Sequence, residues 1–329
     1  MTDATAAAAL TLHNALDGDE SRTLAEDVRQ GLARPFKELP PKHLYDTRGA
    51  ELFEQICELP EYYPTRLERS ILERVAPDVI AATAAGELVE LGSGSAAKTR
   101  LLLDAMAAAG TLRRFVAIDV TEQAVRDSAA ALIQEYPGLE VHGLIGDFER
   151  HLDHLPAARE PRLLAFLGGT IGNFPPTARL RFLTQVAALL RPADHLLLGT
   201  DLVKDRAVLE AAYDDSAGVT AAFNLNILHV LNRELGANFD PQSFTHVARF
   251  DEDEEWIEMR LRSDRAQTVA LPAIAMDVSF AEGEELRTEV SAKFTRERVA
   301  VELEAAGLEL LAWYTDPSDW FALSLARRA

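Results

Sequence analysis

Between Glu87 and Leu103 the chain reads ELVELGSGSAAKTRLLL, and here stand the first residues whose types and order suggest chemistry. Gly92 and Gly94 follow an apolar run (Leu88, Val89, Leu91) and precede Lys98, which opens a helical pattern. Glycine has no Cβ, so it accepts positive φ and lets a ligand press against bare backbone N–H groups at a helix start. Strand, tight turn and helix together form a candidate cofactor cradle. The signal is weak by itself. G-S-G-S-A-A also fits the dinucleotide form G-x-G-x-x-G/A, and a plain turn is an equal reading.

Two acids sharpen the reading. Glu90 lies two residues before Gly92, where methyltransferases that use S-adenosylmethionine often carry an acid at the end of their first strand. The next strand, Arg114 to Val120, brings Asp119, a candidate for bidentate contact with ribose hydroxyls. Asp119 follows Gly92 by 27 residues, against the ~20 of a dinucleotide site. That spacing weakens a nicotinamide-dependent oxidoreductase without removing it. His151 and His154 form an i, i+3 pair, better read as a solvated helix end than as a metal site, since no fuller ligand set accompanies them. The run Asp251 to Glu255, DEDEE, reads as a solvated turn rather than a calcium loop.

Patterned elements must hold these residues. The first ten or so residues have no pattern and read as disordered. A capping box, Thr23 with Glu26, opens a helix bearing Leu24, Val28 and Leu32. A short helix over Arg48 to Cys57 carries Leu52, Phe53, Ile56 and Cys57, and prolines then hold Tyr62 and Tyr63 in LPEYYPT. Thr65 and Glu68 are expected to cap the next helix. After the glycine turn, strand and helix alternate as far as Asp201, which predicts a doubly wound parallel sheet. Its ligands should lie beyond the carboxyl ends of the strands, where Gly92, Asp119, Asp147 and the 168–173 loop fall. The pattern breaks at 202–293, with a helical stretch and charged strands such as WIEMRLR (256–262). The chain then closes with a helix and a β-hairpin. A second α+β domain over 14–65 and 202–293 is therefore expected, against a first domain over 66–201 and 294–329.

The bulk composition narrows the partners. With 33 basic and 53 acidic side chains among 329 residues, the net charge of −20 disfavours phosphate backbones and anionic lipid. Nucleic acid and membranes are not expected as partners; a small molecule is. One cysteine, Cys57, excludes an intrachain disulfide and suits a reducing compartment. No apolar run approaches ~18 residues, and the Ala-rich start lacks the cationic region of a signal peptide. A cytoplasmic monomer is expected.

Longer motifs add what spacing does not. The segments LPPKHLYD (39–46), LPEYYPTR (59–66), LVELGSGSAAKTR (88–100), GDFERHL (146–152), FLGGTIGNF (166–174), LLLGTDLVKD (196–205), AYDDSAGVTAAFN (212–224) and TEVSAKF (288–294) resemble the L-histidine Nα-methyltransferases of ergothioneine biosynthesis over nearly the whole length. The resemblance implies a class I S-adenosylmethionine-dependent methyltransferase fold plus a substrate domain, and trimethylation of the histidine α-amino group to hercynine. It also implies that Tyr45, Gly92, Lys98, Asp119, Asp147 and Phe148 line the cofactor site. By the same resemblance, Tyr62, Gly168, Asn173, Tyr213, Met259, Glu289 and Ser291 line the histidine site. The chemistry agrees. Asn173 and Tyr213 can donate to a carboxylate, and Glu289 and Ser291, two apart, emerge on one face if the stretch is extended. Phe53 and Tyr45 would wall the methylated, cationic nitrogen. A same-family enzyme acting on another amino acid is the alternative.

Overall fold

The computed structural model describes residues 10–16, 20–93 and 96–329. Its strands are β1 (Leu10–Asn14), β2 (Lys37–Glu38), β3 (Glu87–Leu91), β4 (Arg114–Asp119), β5 (Glu140–Ile145), β6 (Arg162–Phe166) and β7 (His195–Asp201). They continue with β8 (Phe244–Asp251), β9 (Trp256–Ser263), β10 (Gln267–Leu271), β11 (Met276–Phe280), β12 (Glu285–Ala292), β13 (Leu308–Thr315) and β14 (Phe321–Arg328). The helices are α1 (Glu20–Leu32), α2 (Thr47–Cys57), α3 (Pro64–Thr83), α4 (Thr99–Ala108), α5 (Glu122–Glu135), α6 (Pro176–Leu189), α7 (Arg206–Tyr213), α8 (Val219–Leu235) and α9 (Arg296–Ala305).

The apolar runs of β3, β4 and β6 are buried on both faces, as continuous runs in a helix-covered parallel sheet must be. The large sheet runs β1-β5-β4-β3-β6-β7-β14-β13, parallel from β1 to β7. Strand β14 pairs antiparallel with both β7 and β13, so the closing hairpin completes the sheet as expected. At the amino-terminal ends, the buried Glu87 carboxylate accepts from Arg114 and Arg162, joining β3 to its neighbours β4 and β6. Hydrophobic clusters cover the two faces.

A second sheet, ordered β2-β12-β9-β8, stands apart from the first, with a small β10-β11 ribbon beside it. Its hydrophobic cluster draws on residues 24–63 and 209–286. The antiparallel β12–β9 pairing sets Glu289 opposite Met259 and Ser291 opposite Ile257, after a register shift between Arg287 and Glu289.

Several local expectations change. The first helix begins at Glu20, so Thr23 lies within it rather than at its start. Leu10–Asn14, read as unpatterned, adds an edge strand to β5, because a strand supplied by backbone pairing needs little side-chain pattern. Helix α3 starts at Pro64 without a side-chain cap. Thr65 instead donates to Cys57 Sγ, and Glu68 is wholly buried and directed elsewhere. Residues 272–274 form a 3-10 turn that leads into β11 at Met276. Gly94, the second glycine of the turn, lies outside the described residues.

Candidate active site

The carboxyl ends of β3, β4 and β5 bring the cradle residues together through backbone pairing. Gly92 N–H donates to Ile118 O at 2.8 Å, and Gly146 N–H donates to Asp119 O at 2.9 Å. Gly92 has φ +73°, the left-handed region that favours glycine. Asp119 accepts from Thr121 N–H, which fixes the carboxylate at the strand end. Asp147 likewise accepts from Glu149 N–H at 2.8 Å. The Phe148 ring lies beside Gly92 and packs edge-on to Phe166 with centroids 5.3 Å apart, so it serves the core and borders the cradle at once. Glu90 is buried beneath the turn and accepts from the Thr99 hydroxyl; burial pushes its carboxyl up to about 8, although Thr99 and Lys98 pull it back.

Lys98 does not stand as a lone cation. It is paired with Glu68, whose buried carboxylate also accepts from Gly168 N–H, at 2.8 Å to Oε1 and 3.0 Å to Oε2. A Cβ at Gly199 would lie 2.3 Å from Glu68 Oε1, so glycine on β7 makes room for that carboxylate. Gly168 and Gly169 leave the end of β6 with φ of +79° and +69°. The 3-10 turn Thr170–Asn173 that follows presses on β12. At Gly172 an added Cβ would sit 2.8 Å from Ala292 O and 3.1 Å from Ala292 N. That close approach carries Asn173 up to the second sheet.

Between the two sheets lies a cleft of about 580 Å³, part of it open to solvent. It is lined by Tyr45, Phe53, Tyr62, Gly168, Asn173, Tyr213, Met259, Glu289 and Ser291, which takes in every residue assigned to the substrate by resemblance together with Tyr45 from the cofactor set. Gly92, Lys98, Asp119, Asp147 and Phe148 are not among its lining residues. Tyr45, Phe53, Tyr62 and Phe223 form an aromatic wall, with centroids 5.4 Å apart for Tyr45–Phe53 and 6.1 Å for Phe53–Tyr62. The loop between α7 and α8 is held by Asp215, which accepts from Val219 and Thr220 N–H groups. His246 Nε2 donates to Tyr213 O at 2.9 Å, which seats Tyr213 at the end of α7.

Glu289 and Ser291 leave β12 on the face that meets the cleft, as strand alternation requires. Glu289 is 7% exposed, and its side chain has no hydrogen-bond partner among the described residues. Burial pushes its carboxyl up to about 7, with nearby Lys293 opposing the rise. A buried carboxylate directed into a cleft without a protein donor fits a ligand that brings one.

Four polar residues here escaped the sequence reading. Asp201, at the end of β7, lines the cleft and accepts from Tyr63 at 2.8 Å and Lys204 at 2.6 Å. Lys293 Nζ lies 2.8 Å from Asp201 Oδ2 and is fully buried. Burial would pull the Lys293 ammonium down, but Asp201 holds it above the ordinary lysine range. Lys293 continues the alternation from Glu289 and Ser291, a signal present in the sequence; for Glu68 and Lys204 there was none. Among the described residues no group of histidine, cysteine and acidic side chains could hold a metal, and DEDEE forms the exposed turn between β8 and β9.

A family model described as histidine-specific methyltransferase, SAM-dependent, matches residues 24–328. The chain is 53% identical over 320 residues to a Mycolicibacterium smegmatis protein named histidine N-alpha-methyltransferase, covering 97% of this chain and 99% of that one. A Mycobacterium tuberculosis protein of the same name is 52% identical over 305 residues, 93% of this chain and 95% of that one. Ergothioneine biosynthesis protein 1 of Schizosaccharomyces pombe is 34% identical over 239 residues, 69% of this chain and 31% of that longer protein. A match from residue 24 to residue 328 takes in both sheets, the glycine cradle and the cleft, and by it the chain belongs to the S-adenosylmethionine-dependent, histidine-specific methyltransferases.

Proposed function

We propose that this protein transfers methyl groups from S-adenosylmethionine to the α-amino nitrogen of L-histidine, three in succession, to give hercynine in ergothioneine biosynthesis. The single observation that carries the substrate is Glu289, a buried carboxylate facing the cleft without a donor among the described residues, two residues from the Ser291 hydroxyl. Such a pair matches an imidazole, one nitrogen of which donates while the other accepts.

The cradle fits S-adenosylmethionine by its donor set. Asp119 suits a ribose diol, Asp147 an adenine amine, and the positive φ of Gly92 exposes backbone at the turn. The cofactor supplies an electrophilic methyl group when bound. The protein then has to present a neutral amine with its lone pair in line and to exclude water, without a strong general base. Asn173 and Tyr213 hold the carboxylate, and Glu289 and Ser291 hold the ring, so the α-nitrogen is the group left to face the cofactor. The aromatic wall of Tyr45, Phe53 and Tyr62 stabilises the growing cation by about 0.5–2 kcal/mol.

In this reading residues 14–65 and 202–293 bind substrate, and 66–201 with 294–329 bind cofactor. Within the cofactor part, the Glu68 carboxylate joins the two sets of site residues, touching Lys98 of the cofactor set on one side and Gly168 of the substrate set on the other. No helix among the described residues is long and apolar enough to cross a membrane. Mass spectrometry of histidine incubated with enzyme and S-adenosylmethionine should give mono-, di- and trimethylated products carrying the methyl groups on the α-nitrogen. Methylation of another amino acid from a panel, with histidine untouched, would overturn the assignment.

A further inference from the structure

Lys293 is fully buried, yet it never reaches the cleft surface. Its ammonium has three protons and three partners: Asp201 Oδ2 at 2.8 Å, Ser291 Oγ at 2.8 Å and Tyr213 Oη at 3.1 Å. An ammonium donates and never accepts. Ser291 and Tyr213 thus each have a lone pair taken from behind, and neither can turn its proton back toward Lys293. The Tyr213 hydroxyl donates to Ser291 Oγ at 2.8 Å, which leaves the Ser291 proton to point away from both. An incoming carboxylate can take the Tyr213 proton in place of Ser291, while Lys293 still holds one lone pair of each hydroxyl from behind. Glu289, in contrast, can offer the cleft an acceptor.

We propose that Lys293 is a positioning residue that sets the hydrogen-bond polarity of the substrate cleft. By holding Ser291 and Tyr213 as acceptors from behind, it makes both of them donors toward the substrate. The cleft then demands one ring N–H, for Glu289, and one bare ring nitrogen, for Ser291, which is the pattern of neutral imidazole. Asp201 keeps Lys293 charged and aimed, and it retains Tyr63 and Lys204 as partners if Lys293 is replaced. This inference rests on the reading of the protein as a histidine methyltransferase.

The test compares wild type, Lys293→Met and Lys293→Gln in the full chain. Steady-state methylation is measured with L-histidine and with 3-(pyrrol-2-yl)alanine, whose ring has an N–H but no bare nitrogen. A site built to hydrogen-bond a group discriminates strongly against the analogue lacking it, so wild type should prefer histidine by about 100-fold or more in kcat/KM. Lys293→Met should bring that preference to within about 10-fold, chiefly through KM for histidine, because the Ser291 and Tyr213 protons are then free to turn away from the substrate. The amide of Lys293→Gln can donate to both hydroxyls without a charge, so this variant should keep most of the preference.

A merely structural role would lower both substrates alike and leave the ratio unchanged in Lys293→Met, which overturns the proposal. If Lys293→Met does not bind S-adenosylhomocysteine, Lys293→Gln decides: a retained ratio supports donation as the cause, and a collapsed ratio refutes it. Wild type failing to methylate histidine would instead remove the function reading, which separates the two failures.

Discussion

Replacing Glu289 with glutamine should make the ligand-free protein more stable at pH 8 and the enzyme worse. The carboxyl is raised from 4.5 to about 7, burial being the main cause and Lys293 opposing it. A raised acid binds more protons folded than unfolded, so its contribution to stability is lost as the pH climbs from about 4.5 to 7 and the loss is complete above that window. At about 1.4 kcal/mol per pKa unit the loss comes to about 3 kcal/mol. The amide is not ionised, and burying it unpaired cancels part of the advantage, so a net gain of about 1–3 kcal/mol is expected at pH 8. The gain should vanish at pH 4. Histidine would lose its charged acceptor, a hydrogen bond of about 1.5–3 kcal/mol, or roughly 10- to 100-fold in kcat/KM. Thermal melts of both proteins at pH 4 and pH 8 read the first effect, and methylation kinetics read the second. If Glu289→Gln melts no higher than wild type at pH 8 while kcat/KM for histidine is unchanged, the carboxylate neither strains the cleft nor grips the ring.

Other perturbations test other parts of the site. Phe53→Ala should weaken trimethylhistidine by about 0.5–2 kcal/mol more than histidine in calorimetric titrations, because the ring faces a cation in one case; equal weakening would mean that Phe53 contributes packing alone. Gly172→Ala places a Cβ 2.8 Å from Ala292 O, and since backbone cannot yield cheaply, Asn173 should shift from β12. The outcome is a loss of about 1–3 kcal/mol in stability, with KM for histidine raised and affinity for S-adenosylhomocysteine retained; an unchanged KM would show that the turn does not place Asn173. Glu68→Ala removes the partner of Lys98 and the acceptor of Gly168 N–H, costing about 3–5 kcal/mol as for other broken buried pairs. Binding of S-adenosylhomocysteine and of histidine should both weaken, and loss of one alone would deny Glu68 its bridging place.

The chain order already contained the doubly wound sheet. Apolar runs such as Leu88–Leu91 and the alternation of strand and helix are local signals, and buried parallel strands require them. The closing hairpin was equally legible. The glycine turn and Asp119 could be read as a cradle because cofactor loops sit at strand ends by topology, whatever the distant chain does. Long motifs then pointed to Glu289 and Ser291, and strand alternation put them on one face.

What local pattern could not contain was partnership across the fold. Glu68 looked like a helix cap, yet the packing of α3 against the large sheet buried it beside Lys98 and Gly168. Lys293 and Asp201 lie 92 positions apart in the chain and meet at 2.8 Å because β7 ends where β12 leaves the second sheet. Tyr45, matched to the cofactor by motif, also stands in the aromatic wall of the cleft, since α2 and α8 close around it. A side chain's charge partner is chosen by long-range packing, and burial then decides which form it takes; residue type and spacing carry neither.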